Sequence, residues 1–393
     1  MGIHGLTKLL GDQAPAALRG RGFETYFGRR VAIDASMHIY QFLMVVGREG
    51  GQVLSNEAGE VTAHLQGMFM RTARLLQAGI RPVYVFDGKP PEMKGGELQK
   101  RLQKRIQAEE ELKAAREAGD QELVEKLSKR TQRATREQSE QCKRLLRLMG
   151  VPVVQAPCEA EATCARMQAG GLVFAVSTED MDALTFGTQR LARHMMAPAS
   201  QKKDVLEFSL ESALRELDLS MPEFIDLCIL MGCDYCETIR GVGPVRALKL
   251  MREHRSIEKI VTELDSEKYK VPEDYLESVK RARVLFSDPE VAEVKEQDLK
   301  WSSPDREGLL KFLVEENQFQ KDRVLSTLDR LTAARKEGKG NQNRLDSFFG
   351  APKVKSSTVG KRKEPEGKRG KAGKGPVAKR GKFGVGKKFG SGK

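Results

Sequence analysis

The sequence predicts an α/β fold with a central, mostly parallel sheet, and three observations carry that expectation. Short apolar runs alternate with helix-patterned stretches. The runs are apolar nearly throughout, as in strands buried on both faces. Each of them leads into turn residues that carry carboxylates, and sites in open α/β sheets lie at the carboxyl ends of the strands.

Taken in order, residues 1–30 read as a helical and loop entry with a Gly20-Arg21-Gly22 turn. Val31-Ala32-Ile33 is a strand that runs into Asp34, and Ala35–Leu43 a helix behind it. Residues 64–77 form another helix, with Leu65, Met68, Phe69, Leu75 and Leu76 as its apolar positions. Pro82-Val83-Tyr84-Val85-Phe86 is a strand ending in Asp87-Gly88. From Glu97 to Leu148 the chain is rich in Lys, Arg, Glu, Gln and Ala, which predicts long exposed helices broken near Ala118-Gly119-Asp120. This insertion follows directly on Asp87. Val151–Val154 then precedes Glu159 and Glu161, and Leu172–Val176 precedes Asp180 and Asp182, as two further strands. Residues 209–260 read as helical, and 274–335 as mixed but largely helical. Past Lys336 the Gly-, Lys- and Ser-rich composition predicts disorder to the end.

The totals bound the class. Of 393 residues, 31% are charged and 39% hydrophobic, as in a soluble globular protein. No apolar run approaches the roughly 18 residues of a membrane span. The start lacks a basic segment followed by an apolar one, which argues against secretion, and Leu6 argues against myristoylation of Gly2. Of six cysteines only Cys233 and Cys236 have C-x-x-C spacing, without a second pair or suitable histidines, so reduced structural thiols are expected instead of zinc. The formal charge is +13, and residues 351–393 account for all of it with 15 Lys/Arg against two acids. A neutral body with a polycationic tail suits a polyanionic partner.

Singly, the acid pairs read as helix starts, because carboxylates complement the helix dipole. Together, Asp34, Asp87, Glu159, Glu161, Asp180, Asp182 and Asp234 would repel one another at one sheet edge unless cations lay between them. Oxygen-only ligands favour Mg²⁺ or Mn²⁺, and two such ions about 4 Å apart form the pair used by nucleases. Beside Asp234, Gly241-Val242-Gly243-Pro244 opens a helix, which suits a phosphate or, through turn carbonyls, a monovalent cation such as K⁺. Arg240, Arg246 and Lys249 add charge suited to a duplex backbone. Lys94, Arg101 and Arg105 share a face if their stretch is helical, a basic stripe next to the acids. In the tail, Leu345, Phe348 and Phe349 fall at i, i+3 and i+4 with no core to join, which predicts a docking peptide over Gln342–Phe349.

These stretches together resemble the flap endonucleases of the XPG-type structure-specific 5′ nuclease family. The resemblance rests on Met1–Leu6, Val31–Ser36, Tyr84–Pro91, Ala156–Ala162, Thr178–Asp182 and Gly232–Gly243. It implies a PIN-like nuclease with a helical arch insertion and a helix–two-turn–helix DNA-binding motif. It implies two-Mg²⁺ hydrolysis at the base of 5′ flaps, with 5′→3′ exonuclease activity, in Okazaki-fragment maturation and long-patch base excision repair. The seven carboxylates are implied as metal ligands, with Lys94, Arg101 and Asp182 in catalysis. Tyr40, Arg48, Arg71, Glu159, Gly232, Asp234, Gly241, Gly243 and Arg246 are implied to touch DNA. Gln342, Leu345, Phe348 and Phe349 are implied to dock on the homotrimeric sliding clamp PCNA. A monomeric catalytic unit is implied, placed in the nucleoplasm, with nucleolar and mitochondrial pools allowed for. Val245 departs from the Lys often found there, Gly95-Gly96 is more flexible than usual at the arch base, and the tail is longer than in many relatives.

The expected organisation is residues 1–106 as an N-terminal nuclease half, 107–123 as arch, and 124–255 as an internal nuclease half. Residues 256–336 complete the core, 337–350 hold the docking peptide, and 351–393 form the basic tail. The alternatives are an exonuclease or bubble or junction nuclease of the same family, and a non-catalytic clamp-bound DNA-binding scaffold.

Overall fold

Seven strands form one sheet: β1 (Leu18–Arg21), β2 (Arg30–Asp34), β3 (Arg81–Phe86), β4 (Val153–Gln155), β5 (Ala175–Ser177), β6 (Arg190–Arg193) and β7 (Val205–Ser209). They come from a computed structural model that describes residues 2–46, 62–198, 201 and 203–338. The order is β1-β7-β6-β5-β2-β3-β4. β6, β5, β2, β3 and β4 run parallel, and β7 and β1 add antiparallel pairs at one edge. The expected parallel sheet is therefore its centre.

The central strands are apolar because both faces are covered. Val31, Ile33, Tyr84 and Phe86 belong to one core, and Ala32, Val83, Val85 and Val176 to another on the opposite face. A third core joins the N-terminal helix Leu6–Gln13 to the helices between residues 210 and 287.

The entry expected to be helix and loop also supplies β1. Its Leu-Arg-Gly-Arg sequence carries no apolar run, and its place at the sheet edge comes from pairing with β7. The polar insertion divides into three helices. Gly95–Ala118 and Gln121–Thr131 meet through a small core of Ala108, Leu112, Ala115 and Leu127, with Gly119 left-handed at the turn and Asp120 capping the second helix. Arg136–Leu148 is not exposed along its length, because Cys142, Leu145 and Leu146 enter the main core. The expected divisions at 106/107 and 123/124 fall inside the first two helices. The docking peptide and the tail lie outside the described residues. Among the described residues no helix is long and apolar enough to cross a membrane.

Candidate active site

The acids meet because the parallel strands end together. Asp34 is the last residue of β2 and Asp87 follows β3. Asp34 Oδ1 accepts from Met37 N at 3.1 Å, so the strand's last residue caps the helix Ala35–Val46. Asp87 Oδ1 accepts from Ala160 N at 2.8 Å, so it satisfies the first N–H of the helix Ala160–Ala169 from across the sheet. Site carboxylates thus sit on helix starts, and the positive helix ends offset part of their charge.

Asp87, Glu159 and Glu161 bring one oxygen each to within 4.8 Å of one another. Thr178, just past β5, ties Asp180 to Asp34. Its hydroxyl donates to Asp34 Oδ2 at 2.9 Å and accepts from Asp180 N at 3.1 Å. Asp180 Oδ1 accepts from Asp182 N at 3.1 Å. Asp182 is 5% exposed, and its Oδ1 finds no hydrogen-bond donor among the described residues.

The cluster is electrostatically strained. Burial, and then the charge of Asp87, pushes the Asp34 carboxyl up to about 7. Glu161 is pushed well up by burial and by Asp34 and Asp87, and Asp182 by burial and by Asp180 and Asp234. Two cations reach in from the insertion. Lys94 Nζ lies 2.8 Å from Glu159 Oε2 and 3.6 Å from Asp234 Oδ2, and Arg101 donates to Asp234 Oδ2 at 2.7 Å. Burial works against the Lys94 charge, but the attraction and hydrogen bond of Glu159 outweigh it and hold the ammonium protonated. Among the described side chains, two cations against seven acids leave a large negative excess. The all-oxygen donor set, the mutual repulsion and the orphaned Asp182 oxygen fit hard divalent cations.

Other residues complete the mouth. Gly2 has φ 73°, and a Cβ there would fall on Asp180 Oδ1 and Asp182 Oδ1, so the N-terminal turn crosses the site with backbone alone. Gly232, at φ 111°, accepts from His4 N at 3.1 Å, and a Cβ would meet the His4 ring and Thr238. Gly241 also has positive φ, and Gly243 precedes the helix Pro244–His254 as its N-cap. The backbones of Cys233 and Cys236 pair in an antiparallel bridge across the turn around Asp234, and both thiols are free.

The remaining expected contacts have partners or positions of their own. Tyr40 is half-buried on the helix that Asp34 caps. Arg71 donates to the Met196 carbonyl and lies 5.0 Å over the Phe42 ring, so its guanidinium is engaged in packing. Arg246 donates to the Tyr269 hydroxyl. Arg105 pairs with Glu109 at 3.5 Å along its own helix. Arg48 and the peptide residues Gln342, Leu345, Phe348 and Phe349 lie outside the described residues.

The sequence pattern does not single out Thr178 or Gly2, although both lie in stretches that carry the family resemblance. It also passes over Glu179, whose carboxylate accepts from Arg193 Nε at 3.1 Å and His194 N at 2.6 Å and so pins the Asp180–Asp182 loop to the end of β6. No composition signal marks such a contact.

Models of the XPG N-terminal domain and the XPG I-region match residues 1–108 and 150–234. The chain is 61% identical over 374 residues to "Flap endonuclease 1" of Ostreococcus tauri, covering 95% of each. The chain belongs to the flap endonucleases of the XPG family. Another flap endonuclease 1, from Chlamydomonas reinhardtii, is 58% identical over 93% of this chain and 91% of its own. Among solved structures, flap endonuclease-1 from Methanococcus jannaschii is 33% identical with TM-score 0.64, covering 84% of this chain and 99% of its own. The catalytic core of Rad2 in complex with DNA substrate is 26% identical with the same TM-score, covering 84% and 100%. The PIN-like fold, the nuclease activity and the class of enzyme follow from membership of this family.

Proposed function

We propose that this flap endonuclease cuts the DNA phosphodiester at the base of 5′ flaps by a two-Mg²⁺ mechanism, and that 5′→3′ exonuclease activity accompanies it. One observation carries the reading: six carboxylates stand at or beyond the ends of parallel strands, Asp234 follows the helix Met221–Met231, and two cations beside the insertion already reach the group.

Asp87, Glu159 and Glu161, with Asp34 behind them, would hold one ion, and Asp180, Asp182 and Asp234 the other. Bound Mg²⁺, or Mn²⁺ in its place, supplies Lewis acidity to lower the pKa of the attacking water and to offset charge on the leaving oxygen. Asp34 and Asp87 hold their orientation through the helix caps they make, so the ligand set is rigid before substrate arrives. Lys94 and Arg101, freed from Glu159 and Asp234, would meet the scissile phosphate and stabilise its developing charge. Tyr40 offers a ring for a flap base. Gly241 and Gly243, at the start of the Pro244–His254 helix, would take a duplex phosphate, with a cation such as K⁺ at the turn. Rad2's complex with a DNA substrate supports a DNA partner.

We further propose docking on the PCNA trimer through Gln342, Leu345, Phe348 and Phe349, and a nuclear site of action in Okazaki-fragment maturation and long-patch base excision repair. The basic tail supports that location, and truncation after Gly350 should shift the protein towards the cytoplasm. An unchanged distribution would place the import signal elsewhere.

The test uses purified protein and a 5′-flap duplex. Mg²⁺ should give cutting at the flap base, EDTA should abolish it, and Asp182→Ala should bind the substrate without cutting. Cleavage in EDTA, or normal turnover by the variant, would contradict the mechanism.

A further inference from the structure

Asp87 is held by side chains where its neighbours are held by backbone. Ala156 N donates to Phe86 O at 2.9 Å, Gly88 N to Cys158 O at 2.7 Å, and Lys89 N to Pro157 O at 3.0 Å. Gly88 lies so close to that segment that a Cβ would fall on the carbonyl oxygens of Ala156 and Pro157. Between these stitches, the peptide N–H and carbonyl of Asp87 have no backbone partner among the described residues. The N–H donates to Ser36 Oγ at 3.3 Å, and the carbonyl accepts from Gln155 Nε2 at 2.7 Å.

Gln155 is the last residue of β4 and stands beside Phe86 in the ladder. Its Nε2 also lies 3.3 Å from the Phe86 and Ala156 carbonyls, so Asp87 receives the shortest of three contacts. The other end of the amide is fixed as well. Lys143 Nζ donates to Gln155 Oε1 at 2.7 Å and lies 5.1 Å over the Phe86 ring. An ammonium only donates, so Oε1 faces the lysine and Nε2 faces the carbonyls. The Lys143 side chain is 13% exposed. Its helix, Arg136–Leu148, is anchored in the main core by Cys142, Leu145 and Leu146. A fixed cation thus sets the orientation of an exposed amide.

The carbonyl and the carboxylate of Asp87 belong to one residue, so a shift of this backbone displaces the oxygen that meets Glu159 and Glu161. We propose that Gln155, oriented by Lys143, is a positioning residue for the metal site that holds Asp87 in register with Glu159 and Glu161. It hydrogen-bonds to none of the seven carboxylates and acts through the Asp87 backbone. This rests on the two-Mg²⁺ reading above. Loss of a partner behind a metal ligand costs about 10–100-fold in metal affinity or activity, and an exposed contact that acts through backbone belongs at the lower end.

The test removes the amide and keeps the length of the side chain. Gln155→Met has no N–H for the Asp87 carbonyl. Two Mg²⁺ titrations are read, the thermal shift of the DNA-free protein and single-turnover cleavage of a 5′-flap duplex. Gln155→Met should need about ten-fold more Mg²⁺ for half of the effect in both. Its metal-free melting temperature and its cleavage rate at saturating Mg²⁺ should stay at wild-type values. Lys143→Met, which frees the amide to turn, should shift both midpoints the same way by less, and Lys143→Arg, still a donor, should restore them. Unshifted midpoints in Gln155→Met would overturn the proposal. So would a shift that comes with lost metal-free stability, since Gln155 would then be a contact of the fold, or a fall in the saturated rate, since it would then act in the chemical step. A wild type without any Mg²⁺ response would overturn the metal reading itself.

Discussion

Two ionic clusters in this molecule have opposite designs. In the helical region, Arg283 donates to both oxygens of Asp226, at 2.6 and 2.7 Å, and to both of Glu258, at 2.5 and 3.0 Å. Every carboxylate oxygen there has a donor. The hydrogen bond from Arg283 holds Glu258 below the usual carboxylate range, although burial still pushes Asp226 up. At the sheet edge, seven acids face two cations and Asp182 Oδ1 has no donor among the described residues. The first cluster joins the helices Met221–Met231, Ile257–Glu263 and Tyr275–Ser287. The second spends stability that only a bound cation returns. A satisfied cluster serves the fold, and an unsatisfied one marks the site.

The largest effect that would sharpen this contrast is on the satisfied side. Arg283→Met leaves the buried Asp226 unpaired and should cost about 3 kcal/mol, read by urea unfolding. The protein that remains folded should cut flaps normally. Lys94→Met should do the reverse. Single-turnover cleavage should fall by about 10²–10³-fold, as when one charge-stabilising donor is lost, with little change in flap affinity. Equal losses of stability in both variants would erase the distinction between the clusters.

A smaller effect is the pH dependence of the metal-free protein. Asp34 sits at about 7 in the folded state against an ordinary value near 4. Between those values the folded form holds a proton that the unfolded form has released, so this group's contribution to stability falls as pH rises. Metal-free thermal stability should drop from pH 5 to pH 7.5, and Mg²⁺ should stabilise more at the higher pH. A metal-free protein that gained stability across that window would count against the strained cluster. The smallest effect on chemistry is expected at the peptide, where Phe348→Ala/Phe349→Ala should abolish clamp pulldown and leave intrinsic cutting unchanged. Retained pulldown would assign docking to another segment.

The legibility of the sequence follows the same division. β2, β3, β4 and β5 were readable because burial on both faces demands apolar runs, and the acids after them stand out by contrast. β6, β7 and β1 were not, since Arg190–Arg193 and Leu18–Arg21 are short and half polar and owe their place to edge pairing. The Arg136–Leu148 helix looked exposed because its three buried side chains are diluted among charges. The carboxylates were legible as a group, but Thr178, Gly2 and the Glu179–Arg193 pair act through contacts between elements, which no local pattern encodes. Arg71, expected to touch DNA, has its guanidinium over the Phe42 ring in the structure, a contact that no local pattern marks either.

The most direct measurement is the thermal shift of Asp182→Asn against wild type, with and without Mg²⁺, at pH 7.5. Relief of repulsion should make the variant more stable than wild type without metal. Mg²⁺ at 100 times its Kd should stabilise wild type by about 2.7 kcal/mol and the variant much less. A variant less stable than wild type without metal, with an undiminished Mg²⁺ response, would contradict the assignment of this cluster as a metal site that the bare fold strains to hold.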